Sequence, residues 1–195
     1  MKPCALVCLV ILMLGCDGLE TNEALNTRLD VLQTQSTLIE IDRERAILGT
    51  FKSADTIFLS GGATGRESGI IYRFDGMTLT EEDTPPGPAI WWLWGNRDGE
   101  MWACGDGGRI LRRTAQGDWS SEQTPIADNT ILYGIWGNDS GQLFAVGGSY
   151  RIDGEQNIIL TSRGNGVWER VPNLDPPEPF TFFKVWGNDP MWVVG

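Results

Sequence analysis

Beyond Ala46 the chain alternates short apolar runs with polar, glycine-rich breaks, and the whole alternation repeats. AILGTFK, TIFLSGG, GIIYRFD and MTLTEEDTP form one set of four runs. AIWWLWG, EMWACG, GRILRRT and DWSSEQTP form a second, and ILYGIWG, QLFAVGG, NIILTSR and VWERVP a third. KVWGNDPMWVVG, residues 184–195, opens a fourth. Phe51, Trp94, Trp136 and Trp186 mark the same place in each set, at intervals of roughly 40 to 50 residues. Runs this short, rich in β-branched and aromatic residues and bounded by turn formers, predict strands.

The breaks are turn chemistry. Asn-Arg-Asp-Gly (96–99) and Asn-Asp-Ser-Gly (138–141) join the first two runs of their sets. Asp75-Gly76, Gln116-Gly117 and Gly164-Asn165 separate the last two. Asn, Asp and Gly tolerate the positive φ that tight hairpins need. Pro85, Pro125 and Pro172 close the sets, as expected of outermost strands, because proline cannot donate to a sheet ladder. Four antiparallel strands in a repeat of this length predict all-β architecture built from β-propeller blades. The expected count is three four-stranded blades, about 46–86, 88–125 and 130–172, and the first hairpin of a fourth, 180–195. That makes an incomplete ring, which predicts either a reading truncated at Gly195 or an arc completed by self-association through its open blade edge.

The W-G-N…(M/L)-(W/F)-x-(V/C)-G pattern resembles the repeats of bacterial secreted and lipoprotein propellers, among them the BNR (Asp-box) and photosystem II assembly-factor-like propellers. The resemblance covers residues 46–195 and implies the propeller fold. It leaves function open, since such propellers host both enzymes and passive scaffolds. The Asp-box pattern is met only in part, by GNDSGQLF at 137–144.

The start of the chain follows other rules. MKPCALVCLVILMLGCDG has Lys2, an apolar run from Ala5 to Leu14, then Gly15-Cys16. The run is too short to span a bilayer and predicts a signal peptide over residues 1–15. Its ending, Met-Leu-Gly-Cys, resembles a bacterial lipobox, with Leu14 where a smaller residue is usual. That resemblance implies cleavage before Cys16 and acylation of Cys16, hence a lipid bilayer as partner and a place in the cell envelope, on the inner or outer membrane. Each buried methylene contributes roughly 0.8 kcal/mol, so several chains make a firm anchor. Residues 16–45 then form the anchor and a spacer. Leu25, Leu29, Leu32, Ser36, Ile39, Arg43 and Ala46 fall at helical spacing, interrupted at Ser36 and Arg43, so the segment reads as a helix over about 21–44 or as a flexible tether.

Charge and composition narrow the chemistry. The formal net charge is −11 with no basic cluster to offset it, which argues against nucleic acid. With no histidine in the chain, Ser-His and Cys-His catalysis are excluded. After cleavage only Cys16 and Cys104 remain, so no internal disulfide forms and Cys104, in MWACG, reads as a buried apolar residue. Glu81-Glu82-Asp83 reads as a solvated rim and not a calcium site, because adjacent strand residues point to alternate faces. No metal or cofactor is expected. Tyr72, Tyr133 and Tyr150 belong to no glycosidase constellation, so the chain is not expected to be an enzyme.

Binding is the remaining class. Most of the nine tryptophans recur with the repeat and read as packing between blades, whereas Trp91 and Trp92 stand outside it and are candidates for stacking on a ligand. Loops between second and third strands, GGATGRESG (61–69) and GGSYRIDGEQN (147–157), vary most, as does the link NLDPPEPF (173–180). They emerge on one end of a propeller, which makes Arg66, Glu67, Tyr150, Arg151, Asp153 and Glu155 the candidate binding face. The expected function is an anchored binding or scaffold module for an envelope protein or polysaccharide. The alternatives are a truncated sialidase-like propeller glycosidase, or a non-functional gene fragment.

Overall fold

The computed structural model describes residues 45–63, 68–149, 155–172 and 181–195. The signal peptide, Cys16, the spacer, Arg66, Glu67, Tyr150, Arg151, Asp153 and the 173–180 link lie outside the described residues. Fourteen strands are present among the described residues. β1 (Ala46–Ser53), β2 (Thr56–Gly62), β3 (Ile70–Phe74) and β4 (Leu79–Glu81) form one antiparallel sheet in chain order. β5 (Ile90–Gly95), β6 (Met101–Gly105), β7 (Ile110–Arg113) and β8 (Trp119–Glu122) form the next. β9 (Ile131–Gly137), β10 (Leu143–Gly148), β11 (Ile158–Ser162) and β12 (Trp168–Arg170) form the third, and β13 (Lys184–Trp186) with β14 (Trp192–Val194) a two-stranded hairpin. Three four-stranded blades and the first hairpin of a fourth are the architecture the repeat predicts. The first strands of successive blades, β1, β5, β9 and β13, pack against one another and so define the inner edge of the arc.

The core lies between blades. On β6, Met101 and Ala103 join Phe58 and Ile71 of the first blade, while Trp102 and Cys104 join Leu132, Ile135 and Leu160 of the third. On β10, Leu143 and Ala145 face the second blade and Val146 faces Phe182 and Val185 of the fourth. Alternate residues of one strand thus enter two different cores, and the run must be apolar at every position. All five residues of β6 are buried for this reason.

The recurring Trp-Gly-Asn has a part for each residue. The ring at the first position rests on the glycine of the next blade: a Cβ on Gly137 would lie 2.3 Å from the Trp94 ring, and one on Gly95 would lie 2.9 Å from the Phe51 ring. At the third blade the Trp136 indole donates to the Gly187 carbonyl at 2.9 Å. The asparagine side chain then caps the turn. Asn96 Oδ1 accepts from the amides of Asp98 (3.0 Å) and Glu100 (2.9 Å). Asn138 Oδ1 accepts from those of Ser140 (3.1 Å) and Gln142 (3.0 Å). These are Asx turns, which side-chain amides form in place of a backbone turn.

A second seam runs along the rim. The Trp119 indole opens β8 and donates to Glu82 Oε2 of the preceding blade at 2.9 Å. The Trp168 indole opens β12 and donates to Glu122 Oε2 at 2.6 Å. Glu82 corrects the expectation of a solvated acidic rim. Its side chain is 9 % exposed, and Arg73 Nε (3.2 Å) and Arg113 Nε (3.0 Å) both bind it. An arginine from each of two blades converges on it, which strand alternation in one blade alone does not reveal. Cys104 is free and buried, and burial pushes its thiol far up.

Candidate functional site

The second, third and fourth repeats each carry one aromatic side chain where the inner strand meets the end of the arc that bears the long loops, and the first carries Leu48 there. The β1–β2 pairing shifts register between Ile47 and Gly49, the β5–β6 pairing between Ile90 and Trp92, and the β9–β10 pairing at Val146/Gly147. The residues left over on the inner strands are Leu48, Trp91 and Tyr133. A bulge of this kind re-aims the extra side chain away from the two faces of the sheet. Phe183, three residues before Trp186 as Trp91 is before Trp94, holds the same place in the fourth set, its amide donating to Val194 O at 2.7 Å.

These side chains meet across blades. The Trp91 and Tyr133 ring centroids are 4.9 Å apart with planes at 71°, and Tyr133 and Phe183 are 4.9 Å apart at 52°. Such inclined contacts add about 0.5–1.5 kcal/mol each beyond area burial. Tyr133 is buried, Trp91 half-buried, and Phe183, the last member of the row among the described residues, is 48 % exposed. Trp91 is fixed at its other end, where its indole donates to Asp106 Oδ1 at 2.7 Å. Asp106 begins the β6–β7 turn, on the loop-bearing end, and its amide donates to Ala89 O at 3.0 Å. Arg109 closes the same turn. Its guanidinium donates to the carbonyls of Pro88 (3.0 Å) and Pro85, tying the turn to the link between the first two blades, and burial lowers its pKa.

Lys184 reaches back beneath this row. Its Nζ donates to the Tyr133 carbonyl at 3.1 Å and sits 3.4 Å from the centroid of the Trp92 ring. Burial lowers the pKa of the ammonium, and the indole face compensates part of the lost hydration.

Of the residues singled out in the sequence, Trp91 and Trp92 are brought together with this cluster, in different roles. Trp91 is not extra to the repeat; it is the second-blade member of the row. Trp92 has one face covered by Lys184 and packs against the core shared by blades two and three. Glu155 lies apart, paired with Arg170 Nη2 at 2.7 Å in an exposed contact, a kind that contributes little to stability. Tyr133, Phe183 and Asp106 were missed as site residues. The available signal was an aromatic residue three positions before the Trp of Trp-Gly in three successive sets. Among the described residues no group of three His, Cys, Asp or Glu is placed to hold a metal ion.

No protein-family model and no curated protein sequence matches the chain. Solved structures do. A structure described as YCF48 bound to D1 peptide matches with a TM-score of 0.50 and 16 % identity, over 71 % of this chain and 43 % of that one. The fold is that of a β-propeller. Virginiamycin B lyase from Staphylococcus aureus, as its selenomethionine derivative, is also similar, with a TM-score of 0.46 and 16 % identity over 78 % of this chain and 64 % of that one. The chain thus spans less than half the length of the first of these structures.

Proposed function

We propose that the chain is a non-enzymatic binding module of the cell envelope, held to a membrane by an acylated Cys16, which engages an extended polypeptide segment of an envelope protein. The observation that carries this reading is the row Trp91–Tyr133–Phe183, which runs from blade to blade and is fixed at Trp91 by Asp106. Rings inclined at 71° and 52°, each in contact with the next, present a ridge of edges and no common plane. A ridge of that kind suits apolar side chains at intervals along an extended peptide, as aromatic-lined recognition surfaces elsewhere do. A pyranose ring, in contrast, stacks on a single flat face, and the Trp92 face is taken by Lys184. The YCF48 structure was solved with a peptide, which supports a polypeptide ligand as one that this fold accommodates.

The test is a side-by-side binding assay. The detergent-extracted full chain and its Phe183→Asp variant are applied to arrays of envelope-protein peptides and of envelope glycans. Retention on peptides, weakened at least tenfold by Phe183→Asp, is the expected result. Retention on glycans alone, or peptide binding unchanged in the variant, contradicts the proposal.

A further inference from the structure

At the opposite end of the arc from the long loops, between the first and second blades, lies a cleft of about 620 Å³. Ala54 of the β1–β2 turn, Gly99 of the β5–β6 turn and Gln116 of the β7–β8 turn form its mouth, and Arg73, Glu82 and Arg113 line its wall. We propose that this cleft is a second binding site, independent of the aromatic row, which takes a small ligand bearing a carboxylate or phosphate group.

The reason is the way the two arginines are held. Glu82 forms an ion pair with Arg73 Nε through one oxygen, 3.2 Å away, and through the other accepts hydrogen bonds from Arg113 Nε and the Trp119 indole. One carboxylate thus orients the Arg113 guanidinium through its inner nitrogen and draws the Arg73 guanidinium to the same wall. The terminal nitrogens of both arginines have no hydrogen-bond partner among the described residues. Arg113 is further fixed by the Phe58 ring, 5.3 Å from its central carbon. Gly117, which also lines the cleft, packs closely against it: a Cβ there would lie 3.1 Å from Arg113 Nη2 and crowd the guanidinium. The positive φ of Gly117 favours glycine as well, and either way no side chain blocks the guanidinium.

Glu82 answers one of the two guanidinium charges, and with Glu81 and Asp83 the lining carries three carboxylates to two arginines. Guanidinium groups present paired N–H donors that match the two oxygens of a carboxylate or phosphate, and orientation in advance reduces the ordering cost of binding. Glu81 and Asp83 also line the cleft, so recognition rests on the oriented donors and not on a broad positive field, and added salt weakens it.

The Trp119 indole N–H is a built-in reporter, since its acceptor is Glu82. The full chain, labelled with nitrogen-15, is titrated with sodium malonate and separately with sodium phosphate at constant ionic strength. A saturable shift of the Trp119 indole resonance with either anion is expected, with the Trp168 indole, bonded to Glu122 away from these arginines, unmoved. Arg73→Gln and Arg113→Gln are each expected to weaken the response at least tenfold. Arg73 is 38 % exposed along its side chain, so its variant keeps the test usable if Arg113→Gln fails to fold. No saturable shift with either anion, parallel movement of Trp168, or an unchanged response in Arg73→Gln overturns the proposal.

Discussion

Lys184 carries a conflict that can be measured. Its ammonium is half-buried between the Tyr133 carbonyl and the Trp92 ring, and burial lowers its pKa below the ordinary lysine value of about 10.4. The folded chain therefore binds that proton less tightly than the unfolded one. Below the folded-state value both states are charged, and the fold bears the full desolvation cost. As pH rises through that value toward the unfolded one, the cost is relieved and the contribution of Lys184 to stability rises. Urea unfolding of the chain and of Lys184→Met across this alkaline window should show the difference between them moving in favour of the wild type with pH. A flat difference contradicts the account. Nothing in the sequence announces this contact, because Lys184 and the Trp92 ring belong to different repeats.

At the scale of elements, the seams between blades decide whether the repeats form one body. Gly137 receives the Trp94 ring so closely that an alanine Cβ would lie 2.3 Å from it. Gly137→Ala should therefore cost about 1–3 kcal/mol by overpacking. Gly134 is a comparable close-approach site, where a Cβ would meet the Phe183 carbonyl at 2.9 Å. In contrast, a Cβ at Gly141 meets nothing within 4 Å, so Gly141→Ala reports only the strain of its positive φ. Equilibrium urea unfolding checks the prediction, and a Gly137→Ala midpoint equal to the wild type's would show that the ring does not bear on the glycine.

The blades themselves were legible in the sequence because a strand covered on both faces is apolar at every position, and MWACG and QLFAVGG show this without help from distant residues. The Asn-x-x-Gly turns were legible for the same reason, as local chemistry. What lay beyond the sequence was every feature that joins two repeats. Trp91 shares its spacing before Trp-Gly with Tyr133 and Phe183, but the bulge that turns it toward the next blade shows only in the pairing register. Glu82 looked like one of three exposed acids until Arg113 and Trp119 of the next blade came to it.

For the whole molecule, the described blades form an arc with two unlike ends. The loop-bearing end carries the Asp106 and Arg109 turn and the aromatic row, and the short-turn end carries the Arg73–Glu82–Arg113 cleft. On the proposed function, a membrane anchor at Cys16 raises the local concentration of envelope proteins around the chain, so that a modest intrinsic affinity suffices. Phe183, being the exposed member of the row, is where contact should be recorded.

The most direct test places a photo-crosslinking amino acid at position 183 of the full chain expressed in a cell envelope. A second chain carries it at position 77, where Met77 is 93 % exposed in the turn between β3 and β4, away from the row. The account predicts a discrete protein adduct from position 183, absent from position 77 and lost when Cys16→Ser removes the anchor. The same adducts from both positions, or none from position 183 with the anchor in place, would contradict it.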